Sequence, residues 1–169
     1  MRICVDQPIE ASVEEAQAAF LDPSFYRELG ALEGISAPEL RSLETNGGRA
    51  RVVVGYRFAG RLSGPAAVIL DPAKLTWVQV SDVDLDRHHT RVTMLADNYA
   101  NLLSFSGWYE LVSDAEGGCR QHFEAELRVN IPLLGPLAER AIANSIRQNI
   151  AETATLMGRY VAARRGLPA

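Results

Sequence analysis

A run of acidic and imidazole side chains is the part of this sequence whose composition most resembles a metal site. Its members are Asp82, Asp84, Asp86, His88 and His89. Carboxylates and imidazoles are common ligands of divalent cations. The calcium loop of EF-hands, however, requires a glycine at its sixth position and an acidic residue at its twelfth, where this run has Arg87 and Thr93. We therefore predict a solvated surface here and no metal site.

Nucleophilic catalysis has little support in the sequence. No G-x-S-x-G elbow is present, and Cys4 and Cys119 lie near predicted strand ends without a recognisable base motif. The acid–base candidates are Glu139, Tyr109 and Tyr160, because burial can raise a carboxylate pKa towards neutrality and so permit proton transfer. Nothing in their spacing requires such chemistry, so the sequence favours a non-enzymatic protein.

Two short helices are predicted near the start of the chain, after a first strand that ends at Pro8. Ser12 and Glu15 have the spacing of a capping box, in which each side chain satisfies a free backbone N–H at a helix start. Asp22 precedes a proline and fits the N-cap of a second short helix. Gly30 follows this helix, where a residue with left-handed backbone geometry is expected.

Alternation of apolar and polar residues predicts strands through the middle of the chain. The ranges are 37–45, 49–59, 75–82, 89–97, 102–113 and 119–130. The first two flank Asn46-Gly47-Gly48, a strong hairpin signal. In the last range, the apolar residues Phe123, Ala125, Leu127 and Val129 alternate with charged residues. This pattern is typical of an antiparallel strand with one solvated face.

One long helix is predicted over residues 134–164. At 100° per residue, one side carries Ile142, Ile146, Ile150, Thr153, Met157, Tyr160 and Val161, and the other carries Arg140, Asn144, Arg147, Gln148, Thr155 and Arg159. The order of elements predicts a single α+β domain over residues 1–169. In it, a curved antiparallel sheet of about six to seven strands wraps on the long C-terminal helix, with two short helices after the first strand.

Composition excludes several classes of protein. The chain has 169 residues, of which 47% are hydrophobic and 22% charged, as in ordinary globular domains. A net charge of −4 argues against a nucleic-acid binder. No apolar run approaches the roughly 20 residues of a transmembrane helix. The N-terminus carries acidic residues where a signal peptide would be apolar, so we expect a cytoplasmic protein.

The C-terminal third of the sequence resembles a known superfamily. The segments that carry the likeness are FEAELRVNIPLLGPLAERAIANSI at 123–146 and QNIAETATLMGRYV at 148–161. They resemble the helix-grip fold of the START-like superfamily (SRPBCC, Bet v 1-type), which also contains plant pollen-allergen proteins and polyketide cyclases. The likeness is to an uncharacterised branch, in which a Val-Pro-Leu-Val-Gly element joins the last strand to the last helix. This sequence differs by having Leu134 and Pro136 around the glycine.

The resemblance implies a cavity between sheet and helix that holds a lipid, sterol, polyketide or other apolar molecule. The candidate ligand-binding residues are apolar and aromatic side chains of the sheet and the inner side of the helix, with two polar groups among them. They are Tyr56, Phe58, Trp77, Phe105, Tyr109, Phe123, Ile142, Ile146, Asn149, Ile150, Thr153 and Met157. The same stripes are also expected of a filled core.

Three hypotheses for function follow. The first is a carrier or sensor of a hydrophobic small molecule. The second is an enzyme similar to polyketide cyclases or dehydratases that uses the same cavity. The third is an interaction module whose core is filled by side chains. The sequence indicates no cofactor, no metal and no particular oligomeric state.

Overall fold

The computed structural model describes residues 1–30, 32, 34–60 and 71–166. The strands in this part of the chain are β1 (Arg2–Ile9), β2 (Glu39–Asn46), β3 (Arg49–Arg57), β4 (Thr76–Asp84), β5 (His89–Ala96), β6 (Leu103–Ser113) and β7 (Cys119–Val129). The α-helices are α1 (Val13–Phe20), α2 (Pro23–Glu28) and α3 (Gly135–Arg164), and Pro72–Lys74 forms one 3-10 turn. None of the helices in the described ranges is long and apolar enough to cross a membrane.

The strands form one open antiparallel sheet in the order β1-β7-β6-β5-β4-β3-β2. Each neighbour from β2 to β7 is also the next strand along the chain, so hairpins build most of the sheet. Strand β1 pairs with β7 and forms the other edge. This arrangement, with two short helices after β1 and a long helix at the end, confirms the predicted α+β helix-grip architecture.

The first helices have the capping interactions that the sequence predicts. The Ser12 hydroxyl accepts a hydrogen bond from the Glu15 amide, and the Glu15 carboxylate accepts one from the Ser12 amide, which completes the capping box. Asp22 caps α2 by accepting from the Ser24 amide at 2.8 Å. Gly30 has φ +62°, a backbone conformation that glycine adopts with little strain. Strand β1 continues through Ile9, one residue beyond the predicted end.

The junction between β7 and α3 depends on a close backbone contact. A Cβ atom on Gly135 would lie 2.4 Å from the carbonyl oxygen of Val129, so only glycine fits without movement of the chain. The Val129 amide donates to the Glu139 carboxylate at 3.1 Å. The N-terminal amine lies 3.7 Å from the same carboxylate and donates to the Leu127 carbonyl. These contacts fix the start of α3 against the end of β7.

Helix α3 packs most closely on β1, β7 and α1. Its buried residues near the C-terminal end are Ala154, Met157, Gly158, Tyr160 and Val161. They join a core that includes Ile3 of β1, Leu127 of β7 and Ala16 of α1. The polar side predicted from the helical period, which includes Arg140, Asn144 and Arg159, is exposed. The helix therefore presents the predicted face to the sheet.

Candidate functional site

A cavity of about 180 Å³ lies between α3 and the inner face of the sheet. Its walls come from β3 to β7 and from the middle of α3, and α1, α2 and the segment after α2 contribute further side chains. The lining residues are Phe20, Phe25, Tyr26, Leu29, Leu32, Ile35, Val52, Tyr56, Trp77, Gln79, Ser81, Val83, Val92, Met94, Phe105, Tyr109, Gln121, Phe123, Ile146, Asn149, Ile150 and Thr153. Among these described residues there is no Asp, Glu, Lys, Arg or His.

Most of the candidate ligand-binding residues lie on this cavity. They are Tyr56, Trp77, Phe105, Tyr109, Phe123, Ile146, Asn149, Ile150 and Thr153. The four from α3 follow the spacing i, i+3, i+4 and i+7, which places them on one side of a helix. The five from the sheet belong to β3, β4, β6 and β7, whose alternate residues point to the helix side.

Three candidates lie elsewhere, for separate reasons. Phe58 follows the end of β3 at Arg57, so strand alternation no longer sets its direction, and its ring lies against Gly60. Met157 is completely buried and packs in the core beyond the cavity. Ile142 lies one turn before Ile146 and packs against the edge of the same core. None of the three borders the cavity.

Several lining residues were absent from the sequence prediction. Gln79, Ser81 and Val83 are separated from Trp77 on β4 by an even number of positions, so they lie on the same face of the strand. Gln121 and Phe123 share a face of β7 in the same way. Alternation alone would therefore have found them. Phe20, Phe25, Tyr26 and Leu29 belong to the short helices and their C-terminal end, and their place at the cavity depends on tertiary packing. The local sequence pattern does not predict this packing.

Aromatic rings form much of the cavity wall. The rings of Tyr56 and Trp77 stack with centroids 5.7 Å apart and an interplanar angle of 18°. Phe105 and Phe123 stack at 6.5 Å and 24°. Phe20 meets the ring of Tyr109 at 5.6 Å. Such surfaces offer large, rigid apolar areas, which suit a planar apolar molecule.

The cavity also contains hydroxyl and amide groups. Burial raises the pKa of Tyr109 to about 12, and it raises the pKa values of Tyr56 and Tyr26 strongly as well. These phenols are therefore neutral at physiological pH and act as hydrogen-bonding groups. The side-chain oxygen of Asn149 is buried and accepts no hydrogen bond from the described residues. Gln79 contacts Ser81 at 3.4 Å, near the limit of a hydrogen bond.

Two of the three acid–base candidates have other contacts. Glu139 holds the β7–α3 junction through the Val129 amide and does not border the cavity. Tyr160 donates to Asp22 at 2.7 Å, and the guanidinium of Arg164 lies 4.5 Å from its ring centroid. Tyr109 alone of the three lines the cavity. The arrangement brings no carboxylate from the described residues to the cavity surface.

The acidic and imidazole side chains at the β4–β5 turn contact different residues and do not converge on one point. Asp82 forms an ion pair with Arg51 at 2.8 Å, and Asp84 accepts from the Arg87 amide in the turn. The His88 Nδ1 lies 2.8 Å from the amide oxygen of Gln17 on α1, and His89 stacks on Trp108. Over the described ranges, no group of three or more His, Cys, Asp or Glu side chains could hold a metal ion.

The cavity volume limits what could fit inside it. A cavity of about 150 Å³ holds benzene, whereas pockets for drug-sized ligands usually span roughly 300–1,000 Å³. At about 180 Å³, this cavity is close to the first size. A sterol or a long polyketide would have to protrude from it or displace side chains.

Most of the chain matches one known protein family. A family model described as "Protein of unknown function (DUF2505)" matches residues 5–161. The chain belongs to this family. No curated protein gives a significant match to this DUF2505 chain.

Solved structures similar to this DUF2505 chain share its fold at low sequence identity. The Zhui aromatase/cyclase from Streptomyces sp. R1128 gives a TM-score of 0.67 at 13% identity, covering 98% of this chain and 95% of that one. TTHA0849 from Thermus thermophilus gives 0.66 at 15% identity, covering 97% and 99%. A point mutant of norcoclaurine synthase from Thalictrum flavum, in complex with a transition-state analogue, gives 0.62 at 16%, covering 98% and 96%. The likeness to the START-like superfamily is thus confirmed for the fold.

Proposed function

We propose that this protein is a non-enzymatic carrier or sensor of a small hydrophobic molecule, held in the cavity between α3 and the sheet. The observation that carries the proposal is the cavity itself, with aromatic walls and no charged side chain among its described lining residues. Ligand sites are mostly apolar with a few polar groups, and this cavity has that character. We further propose that the protein acts in the cytoplasm.

The lining argues against the cyclase-like alternative. A general acid or base is effective when its pKa lies near the working pH. The ionisable groups that the described part of the cavity offers are tyrosines, whose pKa values burial raises to about 12 for Tyr109 and strongly for Tyr56. Such phenols orient a ligand by hydrogen bonds and are poorly matched to proton transfer near pH 7.

The volume argues against the third alternative, an interaction module with a filled core. Voids larger than a few water molecules are uncommon in protein interiors, which are close-packed. The cavity of about 180 Å³ is partly open to solvent, and the described side chains of α3 and the sheet do not fill it. A space of this size is larger than a packed core leaves, and this supports a binding role.

Mass spectrometry of the purified protein tests the proposal. Protein from its native cells is extracted with organic solvent, and the extract is compared with that of two variants. Thr153→Phe places a ring in the cavity, whereas Thr155→Phe adds the same ring on the exposed side of α3. We expect a compound about the size of one aromatic ring with a few added atoms from the wild type and Thr155→Phe, and none from Thr153→Phe. Equal recovery from all three proteins, or none from any, would contradict the proposal.

A further variant separates carriage from catalysis. Tyr109→Phe removes the hydroxyl of the one acid–base candidate that lines the cavity and keeps its ring. A carrier should yield the same compound from this variant as from the wild type. An enzyme that depends on Tyr109 would instead yield an accumulated substrate of different mass.

A further inference from the structure

One polar atom of the cavity lining lacks a hydrogen-bond partner in the part of the chain that the structure describes. Asn149 lies on the same side of α3 as Ile146, Ile150 and Thr153, which all line the cavity. Its Oδ1 atom is buried and accepts no hydrogen bond from the described residues. A buried acceptor without a donor is destabilising, and such groups are rare in folded proteins. A donor supplied by a ligand would relieve this cost.

The charge of a matching ligand follows from the rest of the lining. The described lining residues contribute aromatic, aliphatic, hydroxyl and amide groups and no ionised side chain. An ion that entered would lose its hydration without gaining a counter-charge, which is strongly unfavourable. The cavity therefore favours a neutral molecule.

The size and shape of a matching ligand follow from the walls. Stacked pairs of rings, Tyr56 with Trp77 and Phe105 with Phe123, border a space of about 180 Å³. This volume is slightly above that of a cavity known to hold benzene, so it accepts one aromatic ring with a few additional atoms. Flat walls favour planar molecules, because offset stacking and edge contacts between rings are attractive.

We propose that the ligand is a neutral, single-ring aromatic compound of about the size of phenol, whose O–H or N–H group donates to Oδ1 of Asn149 when the buried amide turns towards the cavity. This inference rests on the proposed function and adds the chemical class of the ligand and the residue that selects it. Asn149 then acts as the specificity residue, because it distinguishes a donor-bearing ring from an apolar ring of equal size.

Phenol and toluene provide the test, since they have nearly the same shape and differ in the hydrogen-bond donor. NMR titration of the full chain measures both dissociation constants, followed through the methyl signals of Met94, Ile146 and Ile150 at the cavity. The measured quantity is the ratio of the toluene dissociation constant to the phenol dissociation constant. We expect this ratio to fall about tenfold in Asn149→Leu and in Asn149→Ala, because each variant loses the free energy of one neutral hydrogen bond to phenol. Asn144→Leu makes the same change on the exposed side of α3 and should leave the ratio unchanged.

The outcomes distinguish this inference from the function on which it rests. If both ligands bind in the cavity and the ratio is the same in the Asn149 variants, Asn149 is not the acceptor, and the carrier proposal stands without it. If neither ligand shifts the cavity methyl signals, the proposed ligand class is wrong, and the extraction experiment decides the carrier proposal. Benzoate, which is charged at neutral pH, serves as a third probe. Binding of benzoate tighter than that of toluene would overturn the requirement for neutrality.

Discussion

Two stretches of helix α3 face the sheet in different ways. In residues 154–161, the packed stretch, the inward side chains Ala154, Met157 and Val161 are buried against the core. In residues 146–153, the cavity stretch, Ile146, Asn149 and Thr153 are only half-buried and border the cavity. The same helical stripe therefore serves as core at one end and as cavity wall in the middle.

Side-chain size accounts for part of this difference. The packed stretch contains Ala154 and Gly158, and a Cβ atom at Gly158 would lie 3.2 Å from the Cβ of Glu10. Small residues let a helix approach its neighbours closely, and Met157 fills the gaps that remain. In the cavity stretch, the sheet opposite is formed by β3 to β7, and the described side chains do not fill the space between helix and sheet.

Polar groups differ between the two stretches as well. Around the packed stretch they are paired: Tyr160 donates to Asp22 at 2.7 Å, and Arg164 forms an ion pair with the same carboxylate at 2.8 Å. In the cavity stretch, Oδ1 of Asn149 has no partner among the described residues. The polar groups named around the packed stretch therefore stabilise the fold, whereas we propose that the Asn149 oxygen serves binding.

The largest expected effect is on stability, from truncation of Met157. We expect Met157→Ala to lower the free energy of unfolding by about 2–5 kcal/mol, because it opens a void in a filled region. Ile150→Ala is the matched change in the cavity stretch, and it should cost less, about 1–2 kcal/mol, since Ile150 already borders a space. Urea unfolding monitored by circular dichroism measures both values. Equal costs would remove the distinction between the two stretches.

Enlarging side chains tests the same comparison in the opposite direction, and the packed stretch should again lose more stability. Ala154→Leu adds bulk to the packed stretch and is expected to cost about 1–3 kcal/mol of unfolding free energy. The adjacent change Thr153→Leu adds bulk next to the cavity and should change stability by less than about 1 kcal/mol, because open space receives the new atoms. Thermal unfolding of the two variants side by side provides the measurement. A larger loss for Thr153→Leu would mean that the cavity is closed to side chains.

The sequence predicts the elements well because their signals are local. The Ser12–Glu15 capping box, the Asn46-Gly47 turn and the period of α3 each depend on residues a few positions apart. The structure contains each of these features. The inward parity of Phe105 and Phe123 on their strands follows from the same kind of local rule.

The site is only partly predictable, because it depends on distances between elements. Met157 and Ile150 belong to one helical stripe, and nothing in the period tells which of them meets the core and which a cavity. Tyr26 reaches the cavity through the packing of the short helix α2 beside β2. Phe58 lies outside the cavity because β3 ends at Arg57, one residue before it. Each outcome is set by tertiary packing.

Alkaline pH is expected to weaken the cavity side of the molecule. Burial raises the pKa of Tyr109 to about 12, and those of Tyr56 and Tyr26 strongly, while unfolded tyrosine titrates near 10. Their contribution to stability is therefore complete below about pH 10 and is lost as pH rises through the folded values. Urea unfolding between pH 9 and about 12 should show a falling stability, with a shallower slope in Tyr109→Phe. Parallel curves for the variant and the wild type would contradict this assignment.

Acid pH is expected to weaken the other end, where α3 meets α1, and by the smallest amount. Hydrogen bonds from the Arg165 guanidinium and the Ser12 amide lower the pKa of Glu15 to about 2, from 4.5. The stabilisation is present above about pH 4.5 and is lost as pH falls towards about 2. Because this pair lies at the surface, it should also weaken with added salt.

Glu15→Gln should flatten the dependence of unfolding free energy on pH between about 5 and 2, and Glu116→Gln, in an exposed turn, serves as the control. The same pair of variants should behave alike above pH 9, because the Glu15 carboxylate is fully ionised in that range and does not titrate there. If Glu15→Gln instead changed the alkaline slope as much as the acidic one, the C-terminal end of α3 would be coupled to the cavity stretch through the helix. The packed and cavity stretches would then belong to a single cooperative interior.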